Sequence, residues 1–504
     1  MEPLSWPDRL RWQQGDGVSS PLILRLCEAL RAAIWRGDLQ PADRLPSTRT
    51  LAAALGIGRN SVMAAYEHLL AEGYLYARHG SGTFVSTDVP DEFHRVGASG
   101  PDEMTAALRP ALRVSRMADG MSRFAATLPS RHGQTIVPFQ AGIPAVDHFP
   151  WPIWTRCLTR RWRAAPQSLA CSEDSAGFLP LREEIAAFLR QGRGVRCHAD
   201  QVIVVSGAQQ ALDLAARLLL DAGDQVVIED PGYAGIDGLL RATGAEVIPL
   251  PVDAEGVCLP ESPVADGCRV ALLTPSHNYP LGVTMSLSRR LAWLGWARQR
   301  GAWIIEDDYD SDFRFQGRPL TALQGLDVDG RILYVGTFTR ALFPGLRLGY
   351  LVVPERLIDT ARAVRRLSDG GGSVVAQVAL ADFMRDGHFA AHLRAMRRLY
   401  AERCQALERA LASHLEGLLR VPTVEGGVHL NAFLPPGWDD REMVRVLAKN
   451  GITTVALSPY YKSTKVENGI ILGFTCWSEA QLNGAVCHLE RVCNSLLSAP
   501  PMVR

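Results

Sequence analysis

YVGTFTRALFPGLRLGY, residues 334–350, decides the fold of this chain. It begins in the apolar run Ile332–Val335, which reads as a strand, and passes at once into a loop of threonines, arginines and a Pro-Gly turn. Ligands on open α/β sheets bind where loops leave the carboxyl ends of strands. Working outward, the same grammar repeats. Val202–Val205 runs into SGAQQ (206–210) and a helix from Ala208, and Val226–Glu229 runs into EDPGY (229–233). After Val247–Leu250, Val270–Leu273 runs into TPSHNYPLG (274–282), a helix passes through Leu291–Arg298, and Trp303–Ile305 opens IEDDYDSDFRF (305–315). This alternation predicts an α/β domain with a mostly parallel sheet.

A chain of 504 residues with 47% hydrophobic content exceeds one ordinary core, so two or more domains are expected. No run approaches the roughly 20 apolar residues that span a bilayer, and the first 30 residues, with Asp8, Arg9, Arg11 and Asp16, carry no export pattern. A cytoplasmic protein that does not enter the membrane is the expectation. The ten cysteines are scattered without C-x-x-C pairs and read as reduced core thiols, with no metal site. Net charge is zero, so nucleic acid could be held only by positioned groups and by pairing of subunits, not by a bulk basic footprint. Lys449, Lys462 and Lys465 are the only lysines.

Ahead of the α/β pattern, Ile23, Cys27, Leu30 and Ile34 form one stripe of a helix from Pro21 that stops near Gly37. Ser47 can cap a second helix carrying Leu51 and Leu55, Gly56 permits a sharp turn, and a third helix runs from Asn60 with Val62, Tyr66 and Leu69 inward. Two short strands, Tyr74–Ala77 and Thr83–Val85, flank a glycine-containing turn. The stretches RLPSTRTLAAALGIGRNSV (44–62) and EGYLYARHGSGTFV (72–85) closely resemble the GntR-type winged helix-turn-helix. Its third helix would lie in the major groove of an operator duplex with Arg59 and Asn60 leading, and Arg49 near the backbone. Ser47, Thr48 and Ser61 would meet phosphates, and His79 and Gly80 at the wing tip would enter the minor groove. Singly, each also reads as a solvated cap or turn residue; the constellation does not.

The expected organisation is a DNA-binding domain at 15–86, a linker at 87–137 with a short helix near Met104–Leu112, and a large domain at 138–504 whose smaller C-terminal subdomain starts near 386. The five loops, in their order, resemble fold-type I pyridoxal phosphate enzymes; behind a GntR-like head they resemble the MocR/GabR regulator family. That resemblance implies that Asp307 keeps the pyridine nitrogen protonated, Tyr309 bonds the ring 3-oxygen and Tyr233 stacks on the ring. It puts the phosphate against Ala208 and Gln209 at a helix amino terminus, with Thr337, Thr339 and Arg347 completing the cup. An acid-rich strand end or a bare helix start explains any one loop, but not five in family order.

The pattern breaks at Arg340. In the family this position is the lysine whose amine bonds the cofactor's aldehyde; a guanidinium stays protonated and its nitrogens are poor nucleophiles. The stretch Gly469–Phe474, where transaminases present an arginine for the substrate carboxylate, holds no charge. The resemblance therefore implies a homodimeric transcription regulator with no catalytic residue, sensing a small effector, pyridoxal phosphate or an amino compound, with pyridoxal phosphate held non-covalently if at all. The alternatives are a working transaminase with a DNA-binding appendage and a ligand-free dimerisation scaffold; the retained Asp307 and Tyr309 speak against the scaffold.

Overall fold

The computed structural model describes residues 5–12, 21–78, 81–87, 114–125, 137–163, 174–261, 267–315, 317, 320–463 and 466–498. The chain forms two compact units, Met1–Leu112 and Arg113–Arg504. The expected helix near Met104–Leu112 and the wing-tip residues His79 and Gly80 lie outside the described residues.

In the first unit the helices Leu22–Trp35, Thr48–Leu55 and Arg59–Ala71 bury one stripe each. Leu26, Leu30, Leu51, Leu55, Val62, Tyr66 and Leu69 pack into a single core. The Ser47 hydroxyl accepts from the Thr50 amide at 3.2 Å, starting the second helix, and Gly56 at φ 67° ends it. The Tyr66 hydroxyl donates to the Pro46 carbonyl at 3.0 Å, tying the third helix to the residues before the second. β1 (Leu75–Arg78) and β2 (Gly82–Val85) pair antiparallel with Leu75 opposite Val85. Every expected element is present, shifted by a residue or so at its ends.

The second unit holds an eight-stranded sheet. Its strands are β3 (Val202–Val205), β4 (Gln225–Asp230), β5 (Glu246–Asp253), β6 (Gly256–Val257), β7 (Cys268–Leu273), β8 (Trp303–Asp308), β9 (Ile332–Thr337) and β10 (Gly349–Val352), in the order β3-β10-β9-β8-β7-β4-β5-β6. The pairs β4–β5, β4–β7, β7–β8 and β8–β9 are parallel. Such a sheet is buried on both faces, and β3 shows it: Ile203 and Val205 enter one core, Val202 and Val204 the other. The uniformly apolar strand runs follow from this double burial.

Two features depart from the expectation. β10 lies antiparallel between β3 and β9. The segment joining β9 to β10, residues 338–348, contains the short 3-10 turn Pro344–Leu346 and no α-helix, whereas a parallel crossover needs a dozen or more residues, usually with a helix. The stretch read as linker also contains a helix, Arg116–Ala125, which packs on the helix Ala234–Thr243. Its polar and small residues hid it from a reading based on apolar runs.

Toward the carboxyl end, β11 (His429–Phe433), β12 (Val455–Ala456) and β13 (Gly469–Gly473) form an antiparallel sheet in the order β11-β13-β12. The long helices His388–Leu415 and Glu479–Ser498 pack on each other beside it. No helix among the described residues is long and apolar enough to cross a membrane.

Candidate ligand site and DNA-reading surface

The carboxyl ends of β8 and β9 and the loops after β3, β4 and β7 converge on one cluster. Asp307, the next-to-last residue of β8, is 5% exposed, and its Oδ1 has no hydrogen-bond partner. Burial, then the neighbouring acids Asp308, Glu229 and Asp310, push its pKa from 3.8 up to about 7, against a smaller opposing pull from Arg340. A buried, unpartnered carboxyl of this kind is a ready partner for a cationic N–H donor. Two residues on, the Tyr309 hydroxyl lies 3.1 Å from His277 Nδ1.

Arg340 sits half-buried beside them and donates to the carbonyl oxygen of Gly142, so closely that a Cβ on Gly142 would collide with the guanidinium. Gly142 is at φ +80°, open to glycine alone at no cost. The position carries a fixed positive charge and no nucleophilic amine.

The residues expected at a phosphate lie on separate elements. Gly207 (φ +111°) caps the helix Ala208–Leu219, with open space where a Cβ would be, and its first amides have no partner within the helix. Gln209 Nε2 donates to the Gly235 carbonyl at 3.3 Å, joining this helix start to that of Ala234–Thr243. Arg347, left-handed at φ 50°, shares a cavity wall with Ser206, and among the described residues it has no hydrogen-bond or ion-pair partner. Thr337 Oγ1 donates to Thr339 Oγ1 at 3.1 Å and accepts from the Thr339 amide at 3.2 Å. Tyr233, 40% exposed, stands edge-on to Tyr279 with centroids 5.9 Å apart. An orphaned carboxyl, an unpaired arginine and an open helix start fit a phosphate-bearing aromatic ring; the arginine at 340 does not fit covalent attachment of one.

Several residues of this cluster were not singled out from sequence. Glu229, fully buried, accepts from the Thr274 amide at 2.9 Å and from Asn278 Nδ2 at 2.8 Å. His277 pairs with Asp310 at 3.0 Å; burial opposes its charge, but Asp310 outweighs burial and raises its pKa. His429, from β11, is 5.8 Å from His277 between ring centroids. Its pKa falls to about 4, through burial first and repulsion from His277 second. The loop TPSHNYPLG gave a local signal for Thr274, His277 and Asn278, EDPGY for Glu229 and IEDDYDSDFRF for Asp310; nothing local marks His429, which reaches the cluster from the other sheet. β13 is fully buried, and Ile471 packs with Ala141, Phe433 and Leu457 where a substrate-binding arginine is absent.

On the first unit, Arg49, Arg59 and Asn60 are exposed, while Val62, Ala65, Tyr66 and Leu69 face the core, so the third helix turns a polar face outward. Arg59 Nε lies 3.5 Å from Thr48 Oγ1, bringing together the leading ends of the second and third helices. Ser61 lies in the first turn, where its amide bonds the Gly58 carbonyl at 3.1 Å. Ser47, expected at a phosphate, has its hydroxyl engaged as the cap, also 2.7 Å from Thr50 Oγ1.

Comparison with known proteins agrees with both halves. Residues 135–470 match the aminotransferase class I and II family, and residues 22–85 match the bacterial regulatory proteins of the gntR family. The chain is 40% identical to the probable rhizopine catabolism regulatory protein MocR of Rhizobium meliloti, over 90% of each chain. It is 31% identical to the pyridoxine biosynthesis transcriptional regulator PdxR of Corynebacterium glutamicum, covering 92% of this chain and 94% of that one. The second unit resembles the crystal structure of kynurenine aminotransferase from Pyrococcus horikoshii at a TM-score of 0.65 and 26% identity, over 77% of this chain and 96% of the other.

Proposed function

Because the chain belongs to the MocR-type family of regulators, in which a GntR winged helix is joined to an aminotransferase-like domain, we propose that this DNA-binding transcription regulator acts as a cytoplasmic homodimer and senses a small molecule without covalent chemistry. The observation that carries this reading is Arg340: a guanidinium engaged with the Gly142 carbonyl beside Asp307 and Tyr309, where covalent capture of an aldehyde needs an amine.

Pyridoxal phosphate, when bound, supplies a phosphate handle and an electron-withdrawing ring. The chain's own residues would hold it by charge and shape. The amides of Ala208 and Gln209 and the Arg347 guanidinium take the phosphate, assisted by Thr337 and Thr339. Asp307 holds a proton on the ring nitrogen, Tyr309 bonds the ring oxygen and Tyr233 covers the ring face. With Arg340 adding a second cation, another small anion is an alternative occupant of the cup, and an amino compound is the other candidate effector. A transaminase reading is disfavoured by the same arginine and by the buried Ile471; a bare scaffold leaves Asp307 Oδ1 unexplained.

Occupancy would act by shifting the relative positions of the paired winged helices of the homodimer. The test is a spectrum and a calorimetric titration with pyridoxal phosphate. The wild-type protein should show no aldimine absorbance band, yield no borohydride-trapped adduct at position 340 and transaminate no amino acid. Arg340→Lys should take up the cofactor covalently and turn yellow. A variant that is folded yet colourless would show that the pocket takes a different molecule.

A further inference from the structure

Among the described cysteines, Cys258, Cys476 and Cys487 are half-buried and the others are buried. Burial, then the Asp253 carboxylate that accepts from its thiol at 3.3 Å, pushes the pKa of Cys258 up. Burial, then Asp147, does the same for Cys476. Both thiols are thus held in their unreactive form.

Cys487 meets a base instead. Its Sγ lies 3.4 Å from His414 Nε2, and the other ring nitrogen, Nδ1, lies 2.9 Å from Glu490 Oε2. A carboxylate only accepts, so Nδ1 carries the proton of the neutral imidazole and Nε2 presents its lone pair to the thiol. Cys487 and Glu490 stand one turn apart on the helix Glu479–Ser498, and His414 comes from the last turn of the helix His388–Leu415 packed against it. The His414 and Glu490 side chains are 30% and 33% exposed, so the group lies at the surface of the helix pair and not in its core. Arg491 Nε donates to the Cys487 carbonyl at 3.3 Å, which brings a cation alongside. A nucleophile in contact with a base that a third group orients is the arrangement that activates a thiol. An ion pair between the helices would account for His414 and Glu490, but it asks nothing of the residue at 487.

We propose that Cys487 is a reversible thiolation site, at which a small disulfide of the glutathione class is taken up as a mixed disulfide. The Cys487 sulfur attacks one sulfur of the disulfide while its proton passes to His414 Nε2. The disulfide bond breaks, its electron pair leaves on the departing sulfur, and that thiolate takes the proton from the imidazolium. The small disulfide is the oxidant and leaves half of itself as a free thiol; an excess of small thiol runs the exchange backwards. Glu490 is a positioning residue that fixes the ring tautomer, and Arg491 offers a cation to the ligand's carboxylates. None of these residues belongs to the Asp307 cluster or to the DNA-reading surface.

The test is treatment of the reduced full chain with oxidised glutathione, with modification at each cysteine followed by peptide mass after an acid quench. Cys487 should react at least about tenfold faster than Cys258 and Cys476, and dithiothreitol should reverse the adduct. His414→Ala should slow modification at 487 at least about tenfold. Imidazole added to that variant should restore part of the rate while leaving wild type unchanged, a response that altered packing does not produce. Glu490→Ala should slow the reaction as well, and Glu490→Gln, which keeps an acceptor for the ring N–H, should recover most of the rate. The proposal fails if Cys487 reacts no faster than the other two thiols, if His414→Ala reacts as fast as wild type, or if imidazole does not accelerate that variant. The comparison of thiols within the wild-type chain needs no substitution, so it stands even where a variant misfolds.

Discussion

Asp307 carries its own pH signature. Its pKa in the folded chain is about 7 against an ordinary 3.8, so folding favours the protonated carboxyl. The stability this contributes is fully present below pH 3.8 and is lost as pH rises through about 7. Asp307→Asn keeps the shape and removes the charge. Its advantage over wild type in urea unfolding should be small near pH 4, grow with pH and level off above pH 7 at roughly 2–4 kcal/mol, an upper range because neighbouring acids relax as well. A difference that does not vary with pH would mean that Asp307 is charged throughout, and its role as a latent partner for a ring nitrogen would lose its basis.

The helix-turn-helix separates a structural from a reading role. Ser47 caps a helix and Arg59 is exposed at the leading end of the next. Ser47→Ala should cost about 0.5–2 kcal/mol of thermal stability in the first unit. Arg59→Ala should leave stability nearly untouched but weaken operator binding by roughly 1–3 kcal/mol in a gel-shift titration. The reverse pattern would move the reading surface away from the third helix. These elements were legible because a buried stripe at helical spacing and a capping serine are local signals. β10 and the helix Arg116–Ala125 were not: the orientation of β10 depends on the length of its connection, and the helix is held by a neighbour more than a hundred residues away.

Across the whole molecule, a neutral chain has little general attraction for DNA, which favours the proposed homodimer, whose two winged helices would act together on an operator. Sedimentation at micromolar concentration without ligand should therefore give twice the chain mass. A monomer would remove the second winged helix and with it the proposed means of signalling. Each unit has its own closed core, one built around Leu26, Leu30 and Leu69 and the other around the sheet, which matches a division between reading DNA and holding a ligand.

Sequence by itself determined the two halves, the order of their elements, the mostly parallel sheet and the loops that carry Tyr233, Asp307, Tyr309, Arg340 and Arg347. These follow from apolar periodicity, glycine and proline punctuation, and motif order, all of which act over short stretches of chain. Only the tertiary structure decided which groups are left wanting a partner. Asp307 Oδ1 is orphaned, and Arg340 is turned onto Gly142, because of where distant segments pack. Burial and hydrogen-bond satisfaction are properties of the assembled surroundings, and no residue's sequence neighbours specify them.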